Sequence, residues 1–394
     1  MKNTIQAGMR IDVADVLRGL AVMGIVILHS IEHFNFYSYP DTAEQCGFLN
    51  FTDKAIWNSL FFLFGGKAYA VFALLFGFSF FIQDNNQKAR GKDFRGRFMW
   101  RLVLLFVIGN FNAVFFTGEI LVMYSLIGFV LVAVCRLPDK AVFWLAVVLL
   151  LQPLEWWKFF SALADPGAEP AAKLSSYYFR EAFAVQSGGN FWQMAKTNLW
   201  EGQLASLTWA WEHGRIFQTA ALFLLGLLIG RKGLFLGTEK NLRYWFAVIC
   251  LGLLGYFTLT GLVDLLPGWV ENKAAWASLK RILQSLANFS LMLLLVGIVI
   301  HLFYTTRLQK GFMKIGPYGR MSMTNYITQS MIGSLLFYHW GFALHDDLGI
   351  TYSALVGVGL FLLQWAFCRW WLSRHSHGPF EYVWKKATWI GAKK

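Results

Sequence analysis

Apolar runs of about the length needed to cross a bilayer core recur along the chain, separated by short polar segments. Ten are read. The first has its apolar middle at residues 16–28. The others fall at about 55–82, 102–116, 120–135, 141–157, 208–230, 244–266, 282–304, 321–341 and 351–372. The connecting segments alternate in charge: basic at the N-terminus, after the second, fourth, sixth and eighth runs and at the C-terminus, neutral or acidic between. The positive-inside rule therefore places both termini in the cytoplasm, and a missed or spurious span would break the alternation. The first run leads into His29, Ser30, Ile31, Glu32 and His33 rather than a small-residue cleavage site, so it reads as an uncleaved span.

The expected fold is all-α: one integral membrane domain over 1–394, a polytopic bundle of about ten spans. Residues 158–207 form an extracytoplasmic capping segment in this reading, and 374–394 an amphipathic, basic cytoplasmic tail. No internal repeat is evident, so an inverted-repeat transporter is not indicated.

Composition agrees. Of 394 residues, 57% are hydrophobic and 14% charged, where a soluble domain is about 45–50% apolar and 25% charged. The 38 Phe and 18 Trp are more than one soluble core would bury. The net charge of +13 needs no nucleic-acid partner, because membrane proteins collect Lys and Arg on the cytoplasmic side. Cys46, Cys135, Cys250 and Cys368 are scattered, without metal or disulfide spacing. No Walker motif, haem motif or Cys/His cluster points to a cofactor, and no metal is expected.

Chemistry concentrates where charge enters an apolar run. On a helix, Asp15, Arg18, His29 and His33 share a sector about 60° wide, with Glu32 farther round. One helix face thus carries an ion pair at one end and an imidazole pair toward the other. Taken singly, each of these residues has a structural reading, as an interfacial pair or a snorkelling side chain. The shared face favours function. Lys67 falls midway through the second run, where an ammonium must pair, reach a water-filled cavity or bind an anion. Asn110 and Asn112 suit helix–helix hydrogen bonds; Glu119 occupies a turn with Thr117 and Gly118. Arg215 follows Trp209, Trp211, Glu212 and His213. Ser322, Asn325 and Gln329 form a polar stripe suited to helix contact or to a tunnel wall.

Several segments resemble a known family. They are Arg10-Ile11-Asp12 through Asp15-Val16-Leu17-Arg18-Gly19, Gly66-Lys67 with Leu75-Phe76-Gly77, and Gly118-Glu119-Ile120-Leu121 with Tyr124-Ser125. Gly319-Arg320-Met321-Ser322 with Thr324-Asn325-Tyr326 and Gln329-Ser330, and the closing Gly378-Pro379-Phe380-Glu381, complete the set. In this order, over nearly the whole chain, they resemble the YeiB-like family of bacterial membrane proteins. The first-span pattern is similar to the wider set of transmembrane acyltransferases, among them the lysosomal enzyme that N-acetylates heparan glucosamine and bacterial sugar acyltransferases. That resemblance implies a multi-pass bacterial inner-membrane protein that moves an acyl group from acyl-CoA or acetyl-CoA to a sugar, lipid or amine acceptor. A homodimer is compatible with it. The chain departs from the family pattern at His29, where Asn is frequent, at Asn112, where His is frequent, and at Glu119, where Asp is frequent.

Under this expectation Arg18, Arg95, Arg97, Arg101 and Arg320 attract the CoA phosphates, and the Asn325–Gln329 stripe lines the donor arm's path. His29 acts as general base or acyl acceptor, and His33, Glu32 or Glu119 orients it. Lys67 or Asn112 stabilises the thioester oxyanion, and Asn112 and Arg215 face the acceptor. The competing expectation is a transporter or flippase of a small anionic or lipid-like substrate, with Lys67, Arg18 and Arg215 as its binding site.

Overall fold

A computed structural model describes residues 5–165 and 167–391. Residues 1–4, Pro166 within the expected cap and residues 392–394 of the tail lie outside it. The helices run α1 (Asp12–Ile31), α2 (Gly47–Leu63), α3 (Ala68–Lys88), α4 (Arg95–Ala113), α5 (Leu121–Ile127), α6 (Phe129–Val134), α7 (Asp139–Leu150) and α8 (Pro153–Ala164). Next come α9 (Leu174–Gly188), α10 (Phe191–Thr197), α11 (Gln203–Glu212) and α12 (Arg215–Lys232). The last part holds α13 (Glu239–Leu265), α14 (Lys273–Thr305), α15 (Gln309–Met313), α16 (Gly316–Arg320), α17 (Ser322–Phe337), α18 (Ile350–Leu372) and α19 (Pro379–Thr388). The all-α expectation holds: there is no strand among the described residues.

Five of the described helical stretches are long and apolar enough to cross a membrane, or seven if each of two bent pairs is one span. They suggest a membrane protein, and this count does not confirm the expected ten spans. Breakage accounts for part of the difference, while the run at 102–116 lies in the unbroken α4, whose first turns carry Arg95, Arg97 and Arg101. The run at 120–135 divides into α5 and α6 at Gly128, and 321–341 yields a helix of only 16 residues, α17. α7 and α8 meet at a 43° bend, and the segment through α11 and α12 bends by 76°.

α1 is the hub. Of its most apolar window, 72% is buried, against 6% for α13, so α1 is packed on all sides while α13 lies at the periphery. α1 contacts α2, α3, α16, α17 and α18. Two crossings are tight because a glycine stands where a side chain would collide. A Cβ on Gly319 of α16 would lie 1.9 Å from the Asp15 carbonyl oxygen of α1, and one on Gly77 of α3 would lie 2.0 Å from the Phe223 carbonyl oxygen of α12. Small residues allow this backbone approach, and dispersion then favours the pair.

Two breaks position the chemistry. Gly66 takes φ +72° between α2 and α3, and Gly214 takes φ +65° between α11 and α12. This left-handed conformation is open to glycine at no steric cost. Each break starts a buried helix with a cation: Lys67 precedes α3 and Arg215 opens α12.

Candidate functional site

Two cavities lie at opposite ends of α1. The larger, about 720 Å³, is lined by His29, Glu32, His33, Lys67, Glu119 and Arg215 among others. The smaller, about 210 Å³, is lined by Arg18, Arg101, Arg320, Tyr326 and Glu381 among others. We call them the histidine and arginine cavities.

In the histidine cavity the ring centroids of His29 and His33 stand 5.4 Å apart, and Phe116 lies 4.5 Å from His29. Because α1 ends at Ile31, Glu32 and His33 turn with the chain, and His33 Nδ1 comes within 3.1 Å of Glu32 Oε1. Glu32 also accepts from the Tyr37 hydroxyl at 3.2 Å. His29 Nδ1 faces the Gln329 amide at 3.4 Å, so Gln329 is placed to set the ring's orientation. The side chain of Glu119 is buried, accepting from Asn112 Nδ2 and from the Leu121 amide. Burial pushes its carboxyl up to about 8, against the pull of these hydrogen bonds.

Donor atoms of His29, Glu32 and His33 all lie within 4.8 Å of one another, a group that could hold a metal ion. One imidazole nitrogen and one carboxylate oxygen of this group, on His33 and Glu32, are already 3.1 Å apart.

Two of the cations lining this cavity, Lys67 and Arg215, have no acidic partner among the described residues. Lys67 Nζ donates to the Phe61 carbonyl at 3.1 Å. Arg215 Nη1 donates to the Tyr69 hydroxyl at 2.9 Å and to Gln218 Oε1 at 2.8 Å. Tyr69 also donates to Gln218.

In the arginine cavity, Arg18 bonds Asp15 and the Ser79 hydroxyl, each at 3.0 Å. Asp15 is shared with Arg10. The Arg101 guanidinium lies 3.8 Å from the Trp384 ring centre, which ties the tail helix α19 to α4. Glu381 caps α17 from another part of the chain. Its Oε1 accepts from the amides of Met323 and Thr324, and its Oε2 from the Thr324 hydroxyl at 2.5 Å. Burial raises this carboxyl above the usual range while those bonds hold it down. The tail is thereby packed into the bundle, and Glu381 and Trp384 form part of the cavity wall.

A thin partition divides the cavities. Leu121 and Tyr124 of α5 face the arginine cavity, while Ile120 and Met123 face the histidine cavity. Tyr326 lines the arginine cavity, and its ring centroid is 6.5 Å from that of His29 on the other side.

Other sequence-derived residues fall elsewhere. Arg95 is bound by Asp93 at 2.8 Å, two residues away, and does not line the arginine cavity. Arg97 donates to the Thr388 and Ile390 carbonyls, fastening the tail. Asn325 is buried, donating to the Tyr318 carbonyl at 2.9 Å and lining neither cavity. Asn112 stands behind Glu119 rather than in the cavity itself. Asn110 donates to the Phe106 carbonyl and accepts from Gln203. Tyr69, Gln218, Tyr326, Glu381 and Trp384 were not singled out from the sequence. Only Tyr326 and Glu381 carried a signal, as parts of the closing motifs.

The described helices define an all-helical protein, and several are long and apolar enough to suggest a membrane protein. Residues 229–391 match the family described as "Protein of unknown function (DUF418)". The chain is 26% identical to YxaH of Bacillus subtilis, described as an uncharacterized protein, over 97% of this chain and 94% of the relative. It is also 26% identical to the uncharacterized protein YeiB of Escherichia coli, over 95% of each, and 22% identical to a 39.9 kDa protein of Bacillus acidopullulyticus, over 96% of this chain and 94% of the relative. These similarities support the YeiB-like resemblance read from the sequence, the relatives aligning over nearly the full length of the chain. No solved structure matches it.

Proposed function

We propose that this protein is a membrane-embedded acyltransferase. Acyl-CoA binds from the cytoplasm at the arginine cavity, and an acceptor on the other side binds in the histidine cavity. The observation that carries this reading is the partition. Tyr326 faces one cavity while its ring stands 6.5 Å from His29 in the other. A thin acyl-pantetheine arm that displaces the Tyr326 or Met123 side chain brings its thioester to His29 without the nucleotide crossing the membrane. Arg18, Arg101 and Arg320 suit the nucleotide phosphates, since guanidinium groups recognise them through paired hydrogen bonds.

His29 then takes the proton from an acceptor hydroxyl or amine. The freed lone pair attacks the thioester carbonyl, the C–S bond breaks, and the CoA thiolate leaves with the proton returned by His29. Gln329 holds the imidazole, and His33, paired with Glu32, sits beside it. Asn112 supports Glu119, which closes the cavity next to Ile120. A rival reading, transport of an anionic or lipid-like molecule, draws on Lys67 and Arg215.

Release of free CoA from acetyl-CoA by protein in proteoliposomes, with mixed sugars and amines supplied on the far side, separates the two. Transfer gives acceptor-dependent CoA release that falls at least about a hundredfold in His29→Ala, the usual loss of a general base. Release at the wild-type rate in His29→Ala removes His29 from the mechanism, and solute uptake with no release of CoA favours transport.

A further inference from the structure

Lys67 and Arg215 share one end of the histidine cavity. Lys67 is 7% exposed, and the two cations are near enough to repel each other. Among the described residues neither has an acidic partner. Holding two like charges unpaired in a largely buried place costs stability, so their retention asks for a ligand that neutralises them.

The guanidinium shows which ligand. Nη1 is occupied by Tyr69 and Gln218, while Nε is buried with no partner and nothing among the described residues accepts from Nη2. The Nε–Nη2 edge is a two-pronged donor, the arrangement that meets two oxygens of one oxyanion. The rings of Tyr69 and Trp209 hold the group, at 4.8 and 5.5 Å from Cζ. Gly66 keeps the space clear: a Cβ there would stand 3.1 Å from Nη2. Finally, α3 and α12 both begin at these two cations, so the positive ends of two helix dipoles add to the same field.

We propose that this end of the cavity is a phosphate-binding subsite, and that the acceptor carries a phosphate beside the group to be acylated. Two fixed charges and two helix N-termini match a doubly charged group better than a carboxylate. The word acceptor rests on the acyl-transfer reading; the subsite itself does not.

The test uses the full-length protein in phosphatidylcholine nanodiscs at fixed ionic strength. The thermal unfolding midpoint is read against glycerol 3-phosphate, dihexanoyl phosphatidic acid, glucuronate and glucose. A phosphate compound raises the midpoint and glucose does not. A response to both phosphates identifies the phosphate itself as the recognised group, and a response to phosphatidic acid alone assigns it to a lipid. Arg215→Gln and Lys67→Met each weaken the response at least tenfold. Arg215→Lys, which keeps the charge and loses the fork, weakens it similarly. Without ligand, Lys67→Met unfolds at the same or a higher temperature, because it removes an unpaired charge; a purely structural lysine would lower it. The proposal is overturned if no phosphate shifts the wild type, if glucuronate alone does, or if the variants respond as the wild type does. Phosphate binding without any CoA release would sink the transfer reading and leave the subsite standing. CoA release to a neutral acceptor, unaffected by Lys67→Met and Arg215→Gln, with no phosphate shifting the unfolding midpoint, would do the reverse.

Discussion

Gly226→Ala adds one methyl group at the crossing of α3 and α12, and its effect can be worked from the geometry. The new Cβ would lie 1.9 Å from the Leu74 carbonyl oxygen and 2.8 Å from the Phe78 amide nitrogen, where ordinary contact begins near 3.4 Å. Both obstacles are backbone, so no side chain can swing aside. The helices must separate by most of the difference between 1.9 and 3.4 Å. Leu222, Phe223 and Leu227 of α12 and Leu74 and Leu75 of α3 are buried here and lose contact as they part. A gap of about 0.5–1 Å already forfeits roughly a quarter to a half of each dispersion well. Overpacking generally costs about 1–3 kcal/mol, and an unyielding backbone places this case at about 3 kcal/mol. Reversible unfolding in mixed micelles, read by near-ultraviolet dichroism, measures it. Gly359→Ala in α18 is the control: nothing lies within 4 Å of its Cβ, and alanine favours a helix by about 1 kcal/mol, so no loss is expected. Because α3 and α12 begin at Lys67 and Arg215, Gly226→Ala also weakens phosphate binding. Wild-type stability in Gly226→Ala, or an equal loss in Gly359→Ala, refutes the reasoning.

Three other outcomes are expected. The raised pKa of Glu119 means that the folded chain holds its proton more tightly than the unfolded one. Its contribution is full below about pH 4.5 and is lost as pH rises through about 8, on the order of a few kcal/mol. The unfolding midpoint of the wild type therefore falls across this window, and a pH profile of Glu119→Gln is flatter; an equal slope would clear Glu119 of that role. Arg18→Gln and Arg101→Gln each weaken CoA binding by about tenfold or more, as loss of a charge-assisted bond does. Titration of CoA at rising salt reads this, and unchanged affinity removes the arginine cavity as the donor site. If His29, Glu32 and His33 serve the proposed transfer as acid–base groups, chelation with EDTA leaves CoA release unaltered; loss of release restored by zinc would make them ligands.

The sequence by itself determined the helical class and pointed to a membrane protein, because long apolar runs and the charge steps between them are local properties. It also placed Asp15, Arg18, His29 and His33 on one helix face, since helical periodicity fixes which side chains share a side. Lys67 and Arg215 were visible as cations in apolar surroundings. That they occupy one cavity was not, because Gly66 and Gly214 bend separate parts of the chain toward each other. Only the tertiary structure divided the arginines. Arg95 is held by Asp93, two residues away, and Arg97 by carbonyls of the tail, whereas Arg18, Arg101 and Arg320 converge on one cavity from α1, α4 and α16. It likewise set Gln329 against His29, some 300 residues distant, and Glu381 on the N-terminus of α17. Apolar length gives a helix its capacity to span, but where it breaks and which faces then meet depends on contacts between segments far apart in the chain. The breaks in the helices and the partition between the cavities were accordingly settled by packing.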